Sequence, residues 1–139
     1  MVATTTTSEH PARALSGWII VGRIMSIMTF LQPFFIGAMF SGYRDGLNAH
    51  RINAYALVLL AIGSLIVAIA TQRRSPAGRK LISALAEFSV LLIVVAIIGV
   101  LSHEGYRLHW LHLPAGVGMV MGALDIVTKA RDLQQPTDD

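Results

Sequence analysis

Four long apolar stretches divide the chain, joined by short polar connections. They run at about 17–40, 51–71, 80–101 and 108–128. Only a few charges interrupt them, chiefly Arg23, Glu87 and Asp125. A helix crosses the hydrocarbon core of a bilayer with about 20 apolar residues, and each stretch is long enough once its flanks are included. The runs are continuous rather than alternating, which argues against the strands of a membrane barrel. Short connections make successive helices antiparallel neighbours. The pattern predicts an all-α, integral membrane, up-down-up-down four-helix bundle over residues 16–131. Residues 1–15 and 132–139 are polar and predict a disordered arm and tail. The first stretch is too long for the core of a cleaved signal peptide and follows a polar arm, so it reads as a span.

Composition supports the same class. Of 139 residues, 54% are hydrophobic and only 14% charged. A soluble domain carries about 25% charged residues. The absent cysteine excludes a disulfide scaffold, thiolate metal sites and a cysteine nucleophile. No phosphate loop, hydrolase signature or nucleic-acid motif is present. The net charge of +3 bears instead on topology. Arg73, Arg74, Arg79 and Lys80 crowd the middle connection, with Arg13, Lys129 and Arg131 near the ends. Arg44, Arg51 and Arg107 fall on the other side. Basic residues favour the cytoplasmic side, so both termini and the middle connection are expected there. Arginine outnumbers lysine and alanine is abundant, which suggests a bacterial plasma membrane.

Four of the five histidines, His50, His103, His109 and His112, fall at the expected outer face. Spans two and four both start outside and lie on a diagonal of a square bundle. His50 and His112, at similar depths, can then face one another across the bundle. That is the arrangement that holds a haem iron between two axial imidazoles. His109 is the rival ligand on span four, three residues before His112 and so on a nearby face. Arg51, Arg44 and Arg107 could pair with haem propionates. Gly116, Gly118, Gly122 and Gly37 could let helix backbones approach the disc. The plainer reading treats the histidines as interfacial side chains and the glycines as helix-packing positions.

Several segments resemble the haem A synthase family. His50–Arg51 followed by an apolar helix is similar to the motif that opens the second helix of each four-helix half. His112-Leu113-Pro114-Ala115-Gly116 is similar to the motif that opens the fourth helix, and the spacing between the two histidines matches. Leu31–Gln32 followed by Gly37 resembles the first helix. The resemblance covers about residues 17–128, one half of the usual two. It implies a haem site between His50 and His112 on the outer side. The family's oxidising half has a glutamate three residues before the first histidine, where this chain has Leu47. The cysteine pair of many members is absent. The resemblance therefore implies a haem-binding bundle rather than hydroxylation chemistry. The expected function is a b-type cytochrome, with haem b as cofactor, for electron transfer or haem handling. Its partners would be the lipid bilayer, a quinone or respiratory complex, and a second copy of the chain.

Arg23, Glu87 and Asp125 come from three spans at comparable depth in the cytoplasmic half. A lone charge there costs at least ~2.5–3.5 kcal/mol, so Arg23 is expected to pair with one or both acids inside the bundle. The alternative function rests on this cluster: a cofactor-free accessory subunit or a small transporter. Pro33 is expected to kink the first span, with Gln32 beside it either bonding a freed carbonyl or facing the cofactor. Pro114 is expected in the first turn of span four. Trp18, Trp110, Tyr43 and Tyr106 read as membrane-edge aromatics. The Gly118/Gly122 step could serve contact within the bundle or between protomers.

Overall fold

A computed structural model describes residues 10–134, all helix or short turn. The helices are α1 (His10–Phe40), α2 (Asp45–Gln72), α3 (Pro76–His103) and α4 (His109–Asp132). All four are long and apolar enough to cross a membrane. In an apolar medium every backbone N–H and C=O must find a partner within the chain, and a helix does this segment by segment. Several side-chain hydroxyls follow the same rule. Ser26 donates to the Gly22 carbonyl oxygen at 2.9 Å, Thr29 to Met25 at 2.8 Å and Ser89 to Leu85 at 2.7 Å.

The helix ends are set by local chemistry. At the start of α3 the Ser75 hydroxyl accepts the Gly78 N–H at 2.9 Å, and Pro76 occupies a first-turn position where a missing N–H is harmless. The connections 41–44 and 104–108 share one device. Gly42 (φ +90°) and Gly105 (φ +104°) enter the left-handed region that ends a helix. In each case the following tyrosine N–H then reaches back into the helix, Tyr43 to Ala38 and Tyr106 to Leu101.

The helices form a square in which α1 and α3 each touch both α2 and α4. The pairs α1/α3 and α2/α4 are diagonals. Backbones approach closely where glycine removes a side chain. A Cβ at Gly46 would lie 2.5 Å from the Phe35 carbonyl oxygen and 2.6 Å from the Met39 nitrogen. Gly22 faces Val127 and Ile126, and Gly122 faces Phe88. The Gly118/Gly122 step therefore serves packing of α4 on α3, with Gly118 lying toward Leu91.

The core is lopsided. Met25, Leu57, Leu81, Leu85, Phe88 and Ile126 are fully buried. The buried hydrophobic positions span 18–25 on α1, 57–68 on α2, 81–95 on α3 and 119–130 on α4. Toward the connections 41–44 and 104–108, the buried residues among those described are Gly46 and Ser102. One end of the bundle is thus closed by apolar packing, and the other is more open.

Several expectations change. Helix α1 starts at His10, inside the expected arm; residues 1–9 and 135–139 lie outside the described residues. Trp18 is 7% exposed and packs into the core. Trp110, Tyr43 and Tyr106 are exposed. Pro114 lies beyond the first turn, because α4 already begins at His109. Its missing N–H leaves the Trp110 carbonyl without its helical donor.

Candidate functional site

The open end of the bundle gathers its polar side chains around two histidines. His50 lies in the second turn of α2 and His112 in the first turn of α4. Their helices are diagonal, yet the imidazoles meet, with ring centroids 6.2 Å apart and planes at 61°. Both side chains are half-buried. They sit above the last buried positions of the core.

Helix α3 makes room for His112. A Cβ at Gly99 would lie 3.2 Å from His112 Cε1 and 3.7 Å from Nδ1. Ser102, one turn further along α3, has a buried hydroxyl with no hydrogen-bond partner among the described residues. Buried hydroxyls are nearly always paired, so this one marks an environment that can take a polar group.

Helix α1 holds His50. The Gln32 carboxamide is oriented by its neighbours, its nitrogen toward His50 and its oxygen toward two donors. Nε2 donates to His50 Nδ1 at 2.6 Å and to the His50 carbonyl oxygen at 3.3 Å. Oε1 accepts from the Ala54 N–H at 3.2 Å and from Asn53 Nδ2 at 3.1 Å. The backbone carbonyl oxygen of Gln32 is 3.4 Å from His50 Nδ1. Asn53 Nδ2 also donates to the Met28 carbonyl oxygen at 2.8 Å. Pro33 follows this turn and leaves the Thr29 carbonyl without its helical donor. With the carboxamide in this orientation, Nδ1 accepts from Gln32 and the proton of neutral His50 belongs on Nε2.

The remaining expected residues distribute unevenly. Arg51 is half-buried, while Arg44 and Arg107 are exposed on the two connections at this end. Gly116 is half-buried and Gly37 exposed, each with open space where a Cβ would stand. The side chains of His103 and His109, the latter the rival ligand to His112, lie outside the described residues.

The intramembrane charges do not converge. Arg23 and Glu87 are exposed. Glu87 accepts a hydrogen bond from the Ser83 hydroxyl at 2.8 Å, four residues back on its own helix. Asp125 pairs with Lys129 at 3.5 Å, also on its own helix. The expected cluster inside the bundle is therefore replaced by local partners for both acids. Arg23 and Glu87 stand on the diagonal helices α1 and α3 and face away from the shared core, so they do not meet within one bundle.

Three residues of the site were not anticipated from the sequence. Asn53 follows His50 by three residues, so it shares a helix face with it, and that spacing was readable. Gly99 and Ser102 carry a weaker signal, small residues near the end of an apolar run. A repeat was also readable: Gly42-Tyr43-Arg44 and Gly105-Tyr106-Arg107 each precede a histidine-bearing helix.

The fold and this site define a multi-pass helical membrane bundle with a histidine pair at its open end. No family model, curated protein or solved structure matches the chain.

Proposed function

We propose that the chain is a b-type membrane cytochrome that holds haem between His50 and His112. The observation that carries this reading is the ring separation of 6.2 Å across the diagonal. An imidazole nitrogen bonds a metal ion at about 2.0 Å, which for two opposed ligands sets ring centroids about 6 Å apart. The donor set fits as well, since neutral imidazoles are the usual ligands of a low-spin haem iron. The glycine at position 99 leaves room for the His112 ring against α3.

The bundle is read as up-down-up-down in a bacterial plasma membrane, with both termini cytoplasmic and the histidine pair toward the outer side. Arg51, Arg107 and Arg44 lie at that end and are suited to propionate carboxylates. Gly116 and Gln32 complete the residues assigned to the cofactor. With both histidines holding it, the group would supply one-electron transfer rather than oxygen chemistry.

The chain's own residues handle one proton. To hold the group through Nε2, His50 would carry its proton on Nδ1. Gln32 can accept it there if its carboxamide turns over, and the Gln32 backbone carbonyl is a second acceptor on the same side.

The test is a dithionite-reduced minus oxidised visible spectrum of the detergent-purified protein, with haem quantified per chain. A sharp low-spin alpha band at about one haem per chain, lost in His50→Ala and in His112→Ala, is the expected result. A flat spectrum from protein produced with ample haem removes the reading. Full haem retention in both variants removes the ligand assignment.

A further inference from the structure

Two charges well inside the membrane-crossing helices point away from their own bundle. Arg23 on α1 and Glu87 on α3 are exposed, and the one ion pair among the described residues is Asp125–Lys129. Each stands in an apolar stripe. On α1 the stripe includes exposed Ile20, Ile27 and Phe34; on α3 it includes exposed Val90, Val94 and Ile97. The Ser83 hydroxyl holds the Glu87 carboxyl on this outer face.

We propose that copies of this chain dock head to tail in the membrane, with Arg23 of one copy pairing with Glu87 of the next. Three observations support it. First, the charges are opposite, and a charge facing lipid alone costs at least ~2.5–3.5 kcal/mol even on the lenient scale. One contact between copies answers both costs. Second, the depths agree. Gly22, beside Arg23, packs at the level of Ile126 and Val127, and Phe88, beside Glu87, at the level of Gly122. Those levels are about 6 Å apart along α4 at the helical rise, a gap that an arginine side chain can bridge. Third, α1 and α3 are diagonal, so the two stripes lie on opposite sides of one bundle. No copy can pair its own Arg23 with its own Glu87, and the contact is heterologous by construction. Helices in lipid associate through packing and polar contacts, and this face supplies both. The proposal is independent of the histidine pair and of any cofactor.

The test is native mass spectrometry of the protein released from lipid nanodiscs, for the wild type, Arg23→Glu and Glu87→Arg. The wild type is expected as an oligomer. Arg23→Glu carries acids at both contact positions and Glu87→Arg carries bases at both, so each alone is expected as a monomer. An equimolar mixture is expected to assemble again, with equal numbers of the two variants alternating. A monomeric wild type overturns the proposal; Arg23 then reaches lipid headgroups and Glu87 stands alone. Variants that assemble like the wild type overturn it too, as does a mixture of folded variants that stays monomeric. Circular dichroism reports whether each variant keeps its helices. Where one does not, Arg23→Gln and Glu87→Gln carry the test: each is expected to dissociate at least tenfold more readily, and unchanged dissociation overturns the proposal.

Discussion

Gly99 stands directly against the His112 ring: a Cβ at position 99 would lie 3.2 Å from Cε1. That distance is tight but not prohibitive, so the size of the substituent decides the outcome. Gly99→Ala is expected to bind haem with the ring displaced by a few tenths of an ångström. Gly99→Val drives a branched side chain into the same space and is expected to lower haem content per chain several-fold. Overpacking of this kind costs about 1–3 kcal/mol. Haem quantification of both variants checks the order. Equal content in Gly99→Val and wild type would show that His112 does not depend on this clearance.

Gln32 is expected to control the His50 tautomer. Its nitrogen donates to Nδ1 at 2.6 Å, so the imidazole proton is expected on Nε2. Nitrogen-15 NMR of histidine-labelled protein in lipid should show that tautomer. Gln32→Leu removes the donor, and the Gln32 backbone carbonyl oxygen, 3.4 Å away, becomes the nearest partner of Nδ1. The proton is then expected to move toward Nδ1. An unchanged tautomer in Gln32→Leu would remove Gln32 from this role.

Glycines at two positions of α2 predict opposite responses to alanine. At Gly46 the added Cβ meets backbone atoms of α1 at 2.5 and 2.6 Å, and backbone cannot swing aside. Gly46→Ala is expected to push α1 and α2 apart, with a loss of roughly 1–3 kcal/mol. At Gly63 nothing lies within 4 Å. Gly63→Ala is expected to be neutral or to stabilise by up to about 1 kcal/mol through helix propensity. Unfolding in mixed detergent micelles compares the two. Similar behaviour would contradict the close approach at Gly46.

The Asp125–Lys129 pair is expected to matter. It is an i,i+4 pair at 3.5 Å, with side chains 47% and 32% exposed. Asp125 stands beside Ile126, which packs at the level of Gly22, so the pair shares the depth of Arg23 and its exposed side faces lipid. A charge left alone there costs at least about 2.5–3.5 kcal/mol. Lys129→Gln is therefore expected to lower stability in mixed detergent micelles by more than the about 0.3–0.5 kcal/mol of a water-exposed helix pair. A shift within that smaller range would place Asp125 in the headgroup region.

The sequence by itself determined the number, type and approximate limits of the helices. Apolar length is a local sum, and a bilayer leaves helix as the only economical answer for such runs. It also placed His50 and His112 near the starts of the second and fourth helices. The short connections were enough to set those two helices on a diagonal of the square that is observed.

Which way each side chain faces was decided only by the tertiary structure. In a water-soluble helix an apolar stripe marks the inner face. Here lipid and core are both apolar, so the pattern carries no such mark. Arg23 and Glu87 turned outward against expectation for that reason. The grip of Gln32 on His50 and the clearance at Gly99 depend on how neighbouring helices are rotated. That rotation is set by the close approaches at Gly22, Gly46 and Gly122, where packing between helices, not hydropathy along them, selects the arrangement.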